Sequence, residues 1–176
     1  MKKFKSIAIP VSFHGDKPRF LTVRDRRFKE WIFVTGGCRK REIANPLRCA
    51  LRELEEETRG IISLKTGEYT EFKFTVKDDK NDELTYNVFI FFVPYKRYEQ
   101  IEIISKFNNE KIKTNQKKVA KLPVKKTFDE NDYLSWDTLE EFNNRKRWEL
   151  IVDNIIKNPK FYSCVSSQAR KTFAIK

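Results

Sequence analysis

A chain of 176 residues with 39% hydrophobic and 14% aromatic residues can bury one sizeable core and is too short for two ordinary domains. Its formal charge of +12 favours polyanionic partners such as nucleic acid or polyphosphate, a merely soluble basic surface being the plain alternative. Fifteen Phe argue against disorder, the lack of a run of about eighteen apolar residues against a membrane span, and three scattered cysteines (Cys38, Cys49, Cys164) with the single His14 against structural zinc or a disulfide framework.

Along the chain, Met1-Lys2-Lys3-Phe4-Lys5 leads into no signal-peptide apolar stretch, which with the cysteine usage predicts an intracellular, cytoplasmic protein. Apolar and β-branched stretches at 6–13, 20–24 and 31–34 predict short strands, joined by His14-Gly15-Asp16-Lys17-Pro18 and by a charged run. From Pro46 to Thr58 the spacing becomes helical. Asn45 suits the N-cap, Pro46 the first helical position, and Gly60 a left-handed residue beyond the end. Positions 69–76 and 84–95 predict a hairpin around Asp78-Asp79-Lys80-Asn81-Asp82.

Ile101, Ile104 and Phe107 predict a short helix within Tyr98 to Asn108. Between Lys106 and Lys126 eight lysines face a single Glu110, with Pro123 nearby, which predicts an exposed basic loop. Trp148, Ile151, Val152, Ile155 and Ile156 follow the i, i+3, i+4, i+7, i+8 pattern of an amphipathic helix over about 144–157. A mobile tail is expected after Phe161. This order of elements argues for an α+β fold in which helices flank a mixed sheet.

The helix at Pro46 carries the chemistry. Leu47, Ala50, Leu51 and Leu54 form its apolar stripe, while Glu53, Glu56 and Glu57, related as i, i+3 and i+4, share another side. Carboxylates so close repel unless a divalent cation joins them, and such a cation suits phosphoanhydride hydrolysis. For a Glu-rich helix seen alone, a solvated acidic face is the plain alternative. The preceding Gly36-Gly37, read as a substrate loop, shift the balance, because glycines there let a backbone turn sharply or approach a ligand.

The stretch from Gly36 to Ile61 resembles the signature of the Nudix hydrolases, Gly-x5-Glu-x7-Arg-Glu-U-x-Glu-Glu-x-Gly-U with U apolar, and Arg52-Glu53-Leu54-Glu55-Glu56-Glu57 matches its centre. The resemblance implies a single Nudix domain over 1–176, an α/β/α sandwich whose mixed sheet is flanked by the Nudix helix and C-terminal helices. It implies a Mg2+ or Mn2+ cofactor, Glu56 and Glu57 as metal ligands, Glu53 as metal ligand or general base, and Arg52 as their orienting partner. Two departures stand out. Nine residues separate Glu42 from Arg52 where the family has seven, leaving the role of Glu42 open, and Gly60 comes one residue late. Glu130 or Asp132 is a candidate additional acid, a solvent-facing loop carboxylate being the alternative.

The wording of this helix and the lysine load also resemble Nudix proteins of large nucleocytoplasmic DNA viruses, some of which remove mRNA caps; that would place the protein in the host cytoplasm. The leading reading is therefore decapping with release of 7-methylguanosine diphosphate. Lys111, Lys113, Lys117, Lys118, Lys121, Lys125 and Lys126, with Arg24, Arg26, Arg27, Lys29, Arg39, Lys40 and Arg41, would track RNA phosphates. Phe20, Phe28 and Trp31 are candidates for stacking a methylated base, against a plain core role. Hydrolysis of diphosphoinositol polyphosphates or dinucleoside polyphosphates is the alternative enzyme reading. A non-catalytic RNA-binding module is third, and metal-dependent turnover separates it from both.

Overall fold

The computed structural model describes residues 2–15, 17–65 and 68–174, with side chains through residue 167. Among the described residues seven strands form one mixed sheet: β1 (Lys2–His14), β2 (Lys17–Asp25), β3 (Trp31–Ile32), β4 (Val34–Gly37), β5 (Tyr69–Lys77), β6 (Glu83–Phe92) and β7 (Asn131–Asp137). The order β3-β2-β1-β6-β5 makes β1 central, parallel to β6 and antiparallel to β2 and β4; β7 adds to β2. Residues Ile7 to Val11 of β1 are buried, as a strand covered on both faces demands.

The helices are α1 (Pro46–Glu57), α2 (Arg97–Val119), α3 (Leu139–Asn143), α4 (Glu149–Ile156) and α5 (Pro159–Ala174). The α1 stripe packs on β1 and β4, with Ala50 and Leu54 fully buried and Leu47 and Leu51 partly so. Its ends follow the local rules: Asn45 Oδ1 accepts the Arg48 amide, and the chain leaves through left-handed Arg59 (φ 57°) and Gly60 (φ 79°). The strain of a non-glycine residue at Arg59 is offset by its guanidinium, which bonds the buried Asp129 and the Asn131 carbonyl.

Four expectations change. The basic segment from Lys106 is a loop only beyond Val119: the helix expected over Tyr98 to Asn108 belongs to a 23-residue helix, α2, whose Phe107 is buried and whose lysines lie on a continuous spiral as far as Val119, while 120–125 form the exposed basic loop expected. The chain after Phe161 is helical through Ala174, anchored by Phe161 against Phe20 and Phe33. The stretch 31–34 splits at Phe33 into β3 and β4, and Gly36 and Gly37 pair with β1 rather than lying in a loop. Asp16, in the predicted first turn, lies outside the described residues. Among the described residues, no helix is long and apolar enough to cross a membrane.

Candidate active site

Strand β4 and the last two turns of α1 lie side by side, and glycine makes this possible. A Cβ on Gly36 would sit 1.9 Å from the Glu53 carboxyl carbon, so the missing side chain is the space that carboxylate fills. Glu53 and Glu57 are both buried, at 7% and 6% exposure, which removes the solvated acidic face as an account of this helix.

Arg52 organises the group. Nε and Nη2 donate to the two oxygens of Glu42 (2.9 Å each), Nη1 to Glu53 (2.9 Å) and Glu56 (3.0 Å), and Nη2 also to the Gly37 carbonyl (3.0 Å). Glu42 thus reaches Arg52 despite its displaced spacing, because a 3-10 turn at Lys40–Glu42 carries it back onto the helix. Hydrogen bonds from Arg52 hold the Glu42 carboxyl below the ordinary range. Arg39 approaches the far oxygen of Glu56 at 3.6 Å.

The electrostatics divide the acids. Burial pushes the Glu53 carboxyl up to about 7, with the charge of Glu56 adding to burial and that of Arg52 opposing it. Burial and the charge of Glu53 raise Glu57 well above its usual value, while the Asn131 side-chain amide, donating to Glu57 at 3.1 Å, works the other way. Desolvation and the charges of Glu56 and Asp25 raise Glu130. Four carboxylates, Glu53, Glu56, Glu57 and Glu130, therefore lie within electrostatic reach of one another.

Among the described residues no three His, Cys, Asp or Glu form a ready-made metal cage. The donor set nevertheless suits a hard divalent cation: all oxygen, mutually repelling, and with buried Glu57 bonded by the Asn131 amide and the Thr35 backbone and by no charged group among the described residues. Glu53, Glu56 and Glu57 are the residues that could hold one, and Glu130 shares a cleft wall with Glu57.

Glu57 and Glu130 also line a cleft of about 350 Å³, with Asp25, Phe28, Glu30, Ile32, Thr35, Asn131 and Trp148. Of the stacking candidates only Phe28 (61% exposed) is in this wall. Phe20 is a correction, buried at 1% against Phe33 and Phe161. Trp31 is another: it is absent from the wall, and the Arg145 guanidinium lies 3.8 Å from its ring centroid. Trp148, assigned by periodicity to an apolar helix stripe, instead precedes α4 and opens onto the cleft at 39% exposure. Its place at the start of the pattern is the one hint in the sequence.

The two extra acids separate. Asp132 is removed as a candidate because Arg24 grips it at 2.9 and 2.8 Å and Lys29 at 2.7 Å, away from the cleft. Glu130 remains. The predicted lysines also divide. Lys111 donates to the Asp132 carbonyl, Lys113 pairs with Glu110, Lys118 with Asp129, and Lys125 covers Phe128, whereas Lys117, Lys121 and Lys126 are exposed with no carboxylate partner among the described residues.

A mixed sheet with a glutamate helix seated under a glycine strand, and an aromatic cleft opening beside the buried acids, is the arrangement of a Nudix pyrophosphohydrolase, and the family match bears out that class. The chain belongs to the NUDIX domain family, whose model matches residues 4–157. Its fold is shared with the NUDIX domain of NrtR from Shewanella oneidensis, crystallised with ADP ribose (9% identity, 98% of this chain and 89% of that one, TM-score 0.55). It is also shared with the C-terminal domain of mouse MUTYH (14%, 96% and 90%, 0.53) and MutT from Bacillus halodurans (17%, 89% and 80%, 0.52). No curated protein sequence matches the chain.

Proposed function

We propose that the chain hydrolyses the diphosphate of a capped RNA and releases 7-methylguanosine diphosphate, using Mg2+ or Mn2+ that Glu56 and Glu57 would hold, with Glu53 as a further ligand or as the general base. The observation that carries the reading is the cleft itself: two exposed aromatics, Phe28 and Trp148, face it together with Asp25 and Glu30, next to Glu57 and Glu130. A methylated guanine is flat and positively charged, so aromatic faces and nearby acids suit it better than they suit a neutral base.

A bound divalent cation supplies charge neutralisation for the diphosphate and a more acidic water. The chain's own residues do the rest. Arg52 fixes the orientation of Glu53 and Glu56 from one guanidinium. Where Glu53 is not itself a metal ligand, its buried carboxylate, whose proton affinity burial raises, can accept the proton of an attacking water. Asn131 positions Glu57, and Ile32 with the aromatics excludes water from the base.

The test is the purified protein with magnesium against capped RNA, free cap, diphosphoinositol phosphates, dinucleoside polyphosphates and nucleotides, with products identified by mass. Release of 7-methylguanosine diphosphate from capped RNA is expected. Turnover confined to another diphosphate moves the assignment to that substrate, and no turnover on any of them leaves only a binding role.

A further inference from the structure

Beside the cleft runs a second groove of about 800 Å³, lined by Arg26, Arg27, Lys118, Leu122, Val124 and Lys126 and bounded by acids. Two of those acids, Asp25 and Glu130, also line the cleft, so the two spaces adjoin along a shared wall. The groove forms where the turn after β2 meets the end of α2 and the 3-10 turn at Lys126–Phe128.

Its charge has an identifiable floor. Asp129, 4% exposed, is contacted by three cations: Arg59 at 3.2 Å, Arg26 at 3.6 Å, and Lys118. With Arg26, Arg27, Lys118 and Lys126 set against Asp25, Asp129 and Glu130, the groove lining keeps a single positive charge in excess, and its cations lie off the cleft wall formed by Asp25 and Glu130. Above it, Arg27 and Lys126 are exposed and pair with no carboxylate among the described residues; Arg27 lies over Phe28, the aromatic of the cleft, at 5.1 Å. The groove is not purely ionic, since Leu122 (56% exposed) and Val124 present apolar surface between the cations.

We propose that this groove binds a single-stranded nucleic acid leaving the cleft, its phosphates on Arg26, Arg27, Lys118 and Lys126 and its bases against Leu122 and Val124. Cations alternating with apolar surface suit a strand with unpaired bases, which a linear polyphosphate lacks and a duplex keeps stacked inside. The assignment rests on the diphosphate-hydrolase reading for its direction, with the 5′ end in the cleft.

The experiment uses a labelled twelve-nucleotide RNA, read by fluorescence anisotropy without metal, and the double variant Lys118→Gln with Lys126→Glu, which leaves Arg27 over Phe28 untouched and whose folding is checked by thermal melting. Wild type is expected to bind with a slope of log affinity against log salt of about −2 to −3, the value for three or four phosphate contacts. The double variant binds at least tenfold more weakly. In turnover, its kcat/KM falls at least tenfold on a capped twelve-nucleotide RNA and stays within twofold on the free cap dinucleotide. Equal RNA binding by both proteins overturns the groove assignment, whatever the turnover shows. Linear polyphosphate that competes as well as RNA, at equal charge and ionic strength, overturns the choice of nucleic acid. Absence of all hydrolysis with normal groove binding overturns the hydrolase reading alone.

Discussion

Gly36→Ala isolates the position of one carboxylate from its chemistry. The new methyl would lie 1.9 Å from the Glu53 carboxyl carbon and 2.2 and 2.3 Å from its oxygens. Carbon atoms rest at roughly 3.5 Å, so the carboxylate must retreat by about 1.6 Å. The far end of a glutamate can swing, so the fold gives up chiefly the hydrogen bond from Arg52, about 1 kcal/mol, or a fall in Tm of roughly 2–4 °C for a chain of this size. Catalysis is less forgiving, since a misplacement of about 1 Å can cost about 100-fold. Gly36→Ala should therefore lower magnesium-dependent turnover by about two orders of magnitude, and adding Glu53→Gln should lower it little further, because both changes disable one unit. The measurements are steady-state kinetics and a thermal melt on the same preparations. Wild-type turnover in Gly36→Ala, with Glu53→Gln crippled, would refute the argument that the cradle positions Glu53.

Glu57 has a folded pKa above its unfolded value, so it costs stability as pH rises through and beyond the ordinary carboxylate range. Glu57→Gln should accordingly melt higher than wild type at neutral pH in a chelator, yet lose the Tm increase that magnesium gives wild type. Asp129 runs the opposite way: burial raises it, but hydrogen bonds from Lys118 and Arg59 and the charge of Arg26 outweigh burial and hold its pKa low. Its contribution is complete above the unfolded carboxylate pKa near 4 and is lost as pH falls through the depressed value, so Asp129→Asn should flatten the acid limb of a Tm-against-pH curve. Glu130→Gln should cut turnover at least tenfold, whereas Asp132→Asn, whose partners are Arg24 and Lys29, should stay within twofold in kcat and melt lower. Equal losses of turnover in the two variants would contradict the placement of these side chains.

The helix of the site was legible because each signal is local. Asn45, Pro46 and Gly60 mark its ends, and the Leu47-Ala50-Leu51-Leu54 stripe sets its buried face. The burial of Glu53 and Glu57 was not legible, since it depends on Gly36 of β4 packing against α1, a tertiary contact that no local signal announces. Strand β7 escaped notice for a related reason. Asn131, Asp132 and Asp137 are buried by pairing with Glu57, Arg24 and Arg145, so no apolar alternation announces them. In α2, charge density suggested a loop, yet the segment from Arg97 to Val119 contains neither Gly nor Pro, and the missing breakers carried the better signal.

The guanidinium of Arg52 joins both sides of the 38–45 stretch, holding the Gly37 carbonyl before it and Glu42 within it to the helix that follows. Ile43, Ala44 and Asn45 therefore bulge outward, exposed, from a base that is already stapled shut. Lengthening that bulge stretches nothing in the catalytic group, and doubling a loop adds only about 0.6 kcal/mol of closure entropy. The two-residue surplus relative to the family signature is one natural trial of that tolerance. The same spot between Ile43 and Ala44, both exposed, offers a place to graft a peptide tag or a fluorophore attachment sequence outside the bonds by which Arg52 holds the acids.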